Sequence, residues 1–157
     1  MRRFLAVLLV LAASAPLALA PAARAGARKK APPPMDLKLA QDPPKAAVGG
    51  EFELRVQVVP PEGIKLNRYP GITLEIRKAP GMELAGRTAF VGEKKPVTDP
   101  DKFGFHEIPP LVLHGKVARG RSGTRYLEGT LKFFYCVKKS GYCAPGEQKV
   151  RLPVYVR

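Results

Sequence analysis

Two cysteines, Cys136 and Cys143, are the only ones in this chain of 157 residues, and six residues separate them. They lie in the run LKFFYCVKKSGYCAP, from Leu131 to Pro145. Apolar and aromatic residues lead into the first sulfur, and Ser140-Gly141 precedes the step into the second. That pattern predicts two strand ends joined by a short loop, with a sulfur at each shoulder. Three kinds of chemistry are open to such a pair. A structural bridge would close a small ring and contribute about 2.5 kcal/mol in the chain-entropy model. Metal binding would need His106 and His114 to complete a four-ligand set. Structural zinc sites favour cysteines two to four residues apart, and the histidines fall on a different segment, so no metal is expected. Thiol–disulfide exchange is the third, because strained or exposed bridges are the labile ones. Lys138 and Lys139 within the loop favour a nearby thiolate, although lysines at a hairpin tip also serve plain solubility. The spacing alone leaves staple and exchange both open.

Whether a disulfide persists depends on compartment, and the N-terminus addresses that. Arg2 and Arg3 precede an apolar run from Phe4 to Ala15, broken by Pro16 and followed by small residues. This is the charged, apolar and small-residue order of a secretory signal peptide. The run is too short to span a bilayer. Ala23-Arg24-Ala25 offers a cleavage site before Gly26, whereas Ala18-Leu19-Ala20 is followed by the unfavourable Pro21. A leader over residues 1–25 and a periplasmic or secreted mature protein are therefore expected, with no transmembrane span in the mature chain. An exported chain with two cysteines fits one intramolecular bridge.

The formal charge is +14, and losing the leader's three arginines leaves +11. Such a balance can serve an anionic partner. The cations are scattered, however, in short runs such as Lys29-Lys30, Lys94-Lys95 and Lys138-Lys139. No cluster interleaves with aromatics as a single-strand binder requires, so no nucleic-acid partner is expected.

The elements that must position the cysteines come next. Residues 26–35, GARKKAPPPM, are basic, proline-rich and aperiodic, and read as a tether. A single domain is expected over 36–157. Phe52, Leu54, Val56 and Val58 alternate with Glu51, Glu53, Arg55 and Gln57, which predicts a half-buried strand. Pro60-Pro61-Glu62-Gly63 ends it. Ile72–Ile76 alternates again, closed by Pro80-Gly81, and Met82–Arg87 is a candidate edge strand. Residues 92–104 form a long polar loop. Pro110–Val117 is the next strand, with Leu111, Leu113 and Val117 toward the core. Thr124–Cys136 follows the RGRSG turn, and Lys149–Val156 closes the chain with Val150, Leu152, Val154 and Val156 on one face. No segment after the leader sustains a 3.6-residue apolar period. Short strands punctuated by Pro and Gly predict an all-β chain, an immunoglobulin-like antiparallel β-sandwich.

The run FYCVKKSGYCAPGEQKVRL resembles the active-site hairpin of the N-terminal periplasmic domain of the thiol:disulfide interchange protein DsbD. An aromatic before the first cysteine (Phe134 or Tyr135), the step Gly141-Tyr142-Cys143 and Pro145 carry the likeness. VVPPEGIKLN is similar to that family's strand-turn element, and DPDKFGF to its cap loop. The resemblance covers residues 36–157 and implies a role for each matching position. Phe103, with Asp101 just before it, would lie over the bridge and shield it. Cys143 would form the mixed disulfide and Cys136 would resolve it. No cofactor is implied, since the cysteines carry the electrons. Electrons would come from a thioredoxin-like periplasmic protein or a membrane electron donor supplied by a separate chain. The cysteine spacing is one residue longer here than in the best-known members, and the loop is basic where theirs is acidic. Lys65 and Asn67 stand where that family has aromatics after the turn, with Tyr69 nearby.

Two functions from different classes follow. One is a redox relay through Cys136 and Cys143. The other is a non-catalytic basic binding module with a purely structural bridge. A conventional hydrolase is not expected, because Ser122 and Ser140 lie in glycine-rich turns without a G-x-S-x-G context.

Overall fold

The computed structural model describes residues 35–157. The expected leader and the tether as far as residue 34 lie outside the described residues. Ten strands follow in order: β1 (Lys38–Gln41), β2 (Lys45–Ala46), β3 (Glu51–Val59), β4 (Ile64–Leu66), β5 (Ile72–Lys78), β6 (Met82–Leu84), β7 (Thr88–Val91), β8 (Leu111–Val117), β9 (Gly123–Val137) and β10 (Tyr142–Val156). Apart from one 3-10 turn at Pro100–Lys102, no helical element occurs among the described residues. The all-β expectation holds.

The strands form two sheets. One has the order β1-β3-β8-β6, and the other β2-β10-β9-β5-β7 with β4 also paired to β9. In β3 the strict alternation buries Phe52, Leu54, Val56 and Val58, and β8 adds Leu111, Leu113 and Val117. The second sheet answers with Leu74, Ile76, Leu127, Leu131, Leu152 and Val154, all in the same buried cluster. Period-2 alternation turns one face of each sheet inward, so a single apolar core is shared by both. Burying one leucine fully stabilises by about 1.5–3 kcal/mol, so this set outweighs any single polar contact.

Two boundaries and one pairing differ from the sequence expectation. The last strand starts at Tyr142 rather than Lys149, and pairs with β9 along its full 15 residues. The edge strand expected over Met82–Arg87 stops at Leu84, and Thr88–Val91 forms a separate strand in the other sheet. The pairing is also not wholly antiparallel, since β2 lies parallel to β10 through Tyr155↔Lys45 and Val156↔Ala46. That pair closes the chain's last residues against its early ones, which hairpin logic does not foresee.

β9 changes neighbour along its length. Residues 128–132 pair with β5, and 135–137 pair with β4. The segment between those partners contains a cis Tyr69-Pro70 bond and Gly71 at φ +84°. Gly71 backs onto the Phe90 ring and the Val91 carbonyl, where a side chain would collide.

On the outer face of the second sheet, Lys132 Nζ donates to Glu75 Oε2 at 2.9 Å. This hydrogen bond first, and then the charge of Lys132, hold the Glu75 carboxyl below its ordinary range; burial opposes them and Arg77 adds a smaller pull. A carboxylate whose folded pKa is lowered stabilises the fold above its unfolded pKa, and that contribution is lost as pH falls through the lowered value. Lys132→Met should therefore return the Glu75 titration to the ordinary glutamate range, read by NMR of its carboxyl carbon. An unchanged midpoint would refute the pairing.

Candidate functional site

The cysteine hairpin is built from the ends of β9 and β10. Val137 faces Tyr142, and Lys138–Gly141 make the turn between them. Gly141 has φ +64° and donates its N–H to the Val137 carbonyl at 2.9 Å. A left-handed residue is what this tight reversal demands, and glycine adopts it without steric cost.

One residue pair inward, Cys136 and Cys143 stand directly opposite each other and form a disulfide, with an S–S distance of 2.04 Å and Cα atoms 4.1 Å apart. The Asn67 N–H donates to the Phe134 carbonyl, and the Lys138 N–H to the Gly63 carbonyl. Residues 134, 136 and 138 of this strand therefore aim their backbone groups at β4. Cys136–Cys143 is consequently a pair without mutual backbone hydrogen bonds, the kind in which side chains approach most closely.

The two sulfurs differ in surroundings. Cys143 is exposed at the hairpin's outer edge, whereas Cys136 is half-buried between β10 and β4. Lys65 is the register partner of Cys136 on β4. Its aliphatic stem lies over Gly104, occupying the space a Cβ would need there. Asn67 Oδ1 lies 3.5 Å from Cys136 Sγ, and the Gly141 carbonyl lies 3.7 Å from Cys143 Sγ. A disulfide sulfur carries no proton, so both are contacts in this oxidised form.

The other predicted site residues distribute as follows. Asp101 lies in the 3-10 turn, where its N–H donates to the Asp99 carboxylate at 3.1 Å, and Phe103 caps that turn's end. The loop then runs alongside β4. Arg68 N–H donates to the Phe103 carbonyl, Phe105 N–H donates to the Leu66 carbonyl, and Gly104 bridges to Asn67. The spatial order is thus cap loop, β4, β9, β10, which places two strands between the loop backbone and Cys143. Phe103 is 44% exposed and is not a core anchor. Lys138 and Lys139 are exposed at the tip, and Tyr142 beside Cys143 is 37% exposed. Pro145 is exposed opposite Phe134, and the two border a groove of about 480 Å³ that Pro70 and Lys132 also line.

His114 lies on β8, in the other sheet, with Nδ1 3.7 Å from Glu53 Oε2. Among the described residues no cluster of three or more His, Cys, Asp or Glu could hold a metal ion. No helix among the described residues is long and apolar enough to cross a membrane.

Sequence reasoning passed over Asn67 as a neighbour of the bridge. The signal was present in the alternation Ile64-Lys65-Leu66-Asn67, which puts Lys65 and Asn67 on one face and the buried Leu66 on the other.

Set against known proteins, the chain matches no family model, no curated protein and no solved structure. The chemistry of the site therefore rests on its own geometry. An exposed sulfur bonded to a half-covered one, beside cations and without a metal-ligand cluster, can accept a nucleophile at one defined atom.

Proposed function

We propose that this protein is an exported thiol–disulfide exchange domain, acting as a relay through Cys136 and Cys143 on an immunoglobulin-like sandwich. The observation that carries the reading is the asymmetry of the bridge, with Cys143 open to solvent and Cys136 half-covered. Its resemblance to the N-terminal domain of DsbD supports the same assignment of roles. A partner thiolate attacks Cys143 Sγ, the S–S bond breaks, and Cys136 leaves with the electron pair and takes a proton from solvent. The partner's second thiolate then attacks its own sulfur in the mixed disulfide and releases Cys143. Cys143 in turn takes a proton from solvent; two electrons have passed to the domain, and the partner is left oxidised as a disulfide. No cofactor takes part.

Lys138 and Lys139 favour both the approach of an anionic thiolate and the departure of a protein thiolate. Phe103 and Asp101, in the loop beside β4, are assigned to shield the Cys136 side of the bridge and leave Cys143 open, and Gly141, Tyr142 and Pro145 shape the hairpin. The partner class is a thioredoxin-like periplasmic protein or a membrane electron donor on a separate chain.

The test is covalent trapping. Cys136→Ser mixed with a thioredoxin-like protein lacking its resolving cysteine should give a complex through Cys143 on a non-reducing gel. Cys143→Ser should give little or none. The wild-type pair should also have a reduction potential well above about −300 mV, the range below which structural bridges lie.

A second reading rests on a different observation. Arg77, Lys78, Lys149 and Arg151 surround one cleft on the outer face of the second sheet, with Glu128 the only carboxylate lining it. That is a surface for an anionic envelope component. Absence of the covalent complex together with a potential below −300 mV would leave the protein a binding module with a stapled hairpin.

A further inference from the structure

We infer that Asn67 is a positioning residue that holds Cys136 in its protonated form once the bridge is reduced, so that Cys143 alone reacts. The inference rests on the exchange reading above, but its test does not.

The geometry is specific to the two residues. Asn67 follows β4, and its backbone is fixed on both sides, by the bond to the Phe134 carbonyl and by the bridge to Gly104. Its side chain shares the outer face with Cys136, and Oδ1 lies 3.5 Å from that sulfur in a partly buried position. Sulfur hydrogen bonds are long, so this separation suits a thiol donating its S–H to an amide carbonyl. A hydrogen bond to the protonated form disfavours the thiolate, and half-burial acts in the same direction. The counterpart at Cys143 is the Gly141 carbonyl, a longer contact at 3.7 Å in an exposed position where water competes for the thiol proton.

The charged groups around the pair act the other way. Lys65 from β4, and Lys138 and Lys139 from the turn, favour thiolates generally. Glu62 in the turn before β4 and Asp101 in the cap loop oppose them, and His106 beyond that loop is a further titratable neighbour. None of these groups makes a hydrogen-bond contact with either sulfur, whereas the Asn67 carbonyl contacts Cys136 alone. The difference between the two cysteines is therefore assigned to Asn67 and to burial.

The consequence is directional. When a partner thiolate has displaced Cys136 and that sulfur has taken a proton, return attack on the mixed disulfide requires Cys136 to lose the proton again. Only the thiolate is a nucleophile. Asn67 holds the proton, so the mixed disulfide lasts long enough for the partner's second thiol to act.

The experiment measures alkylation of each cysteine in the fully reduced protein by iodoacetamide as a function of pH, read by peptide mass spectrometry. Asn67→Ala should speed modification of Cys136 about three- to tenfold near neutral pH, the range expected for loss of one net hydrogen bond. Its effect on Cys143 should stay within about twofold, within which a nearby partly exposed substitution changes little. Asn67→Asp should slow Cys136, because a carboxylate beside it opposes the thiolate still more. The mixed disulfide formed with glutathione at Cys143 should be resolved faster in Asn67→Ala. Should Asn67→Ala misfold, Asn67→Ser takes its place, since its shorter side chain withdraws the amide carbonyl from Cys136 and should likewise speed its alkylation; an unchanged rate there overturns the inference.

An unchanged Cys136 profile overturns the inference, as does an equal increase at both cysteines. Slower Cys136 alkylation in Asn67→Ala would also overturn it, since that is the sign for an amide N–H donating to the thiolate. Glutathione and iodoacetamide need no protein partner. A shifted Cys136 profile with no trapped complex would therefore refute the relay while leaving the role of Asn67 intact.

Discussion

Reduction of the Cys136–Cys143 bridge should leave the fold standing, and in the reduced protein Cys143 should react with iodoacetamide severalfold faster than Cys136. Two observations set this expectation. The hairpin does not depend on its bridge for register: β9 and β10 pair continuously from Val137↔Tyr142 to Gly123↔Val156. Leu127, Leu131, Phe133, Leu152 and Val154 anchor that pairing in the core. The ring closed by the disulfide is small, so its loss costs at most about 2.5 kcal/mol in the chain-entropy model. At roughly 4 °C per kcal/mol, the melting temperature should fall by about 10 °C. The difference in rate follows from exposure, since Cys143 is open and Cys136 lies between two strands. Circular dichroism with and without reductant, followed by mass spectrometry of the alkylated peptides, checks both parts. Loss of the strand signal on reduction would make the bridge a structural necessity, and equal rates would remove the asymmetry on which the exchange mechanism stands.

Gly129→Ala should destabilise the protein by about 2–4 kcal/mol, well beyond an ordinary surface change. Gly129 faces inward on β9 where β5 pairs with it, and β5 shifts register between Ile76 and Lys78. A methyl group there would run into the Glu75 carbonyl, with the Glu75 carbonyl carbon and Ile76 Cα each only 3.0 Å away. All three are backbone atoms of the neighbouring strand, which cannot move aside as a flexible side chain can. The strand pair must separate locally, and Leu74, Ile76 and Leu131 would lose packing with it. Gly86→Ala is the control. Nothing lies within 4 Å of its Cβ position and its φ is not left-handed, so it should stay within about 0.5 kcal/mol of wild type. Urea titration of the two variants decides the matter; similar midpoints would mean that β5 yields at the bulge.

The strands in which one face meets the core and the other meets water are written in the order of their residues. Glu51–Val58, Ile72–Ile76 and Pro110–Val117 alternate because a pleated strand alternates its side chains, and that record is local. That order also determined that two sulfurs would stand at the shoulders of one reversal, since Ser140-Gly141 and the flanking aromatic residues mark a hairpin within a few positions. The first half of β10 was not legible in that way, because Cys143-Ala144-Pro145-Gly146 carries two residues that normally break strands. The tertiary structure shows why they are tolerated. Pro145, like Cys143, belongs to a pair without hydrogen bonds to β9, so its missing N–H faces the edge where β2 reaches only Tyr155 and Val156. The parallel β2–β10 contact, the cap loop beside β4 and the placing of Asn67 against Cys136 likewise join distant residues. In the last case 69 positions separate the partners. Such neighbours are set by how β9 exchanges β5 for β4 along its edge, a choice made by the packing of the whole core and recorded in no short stretch of the chain.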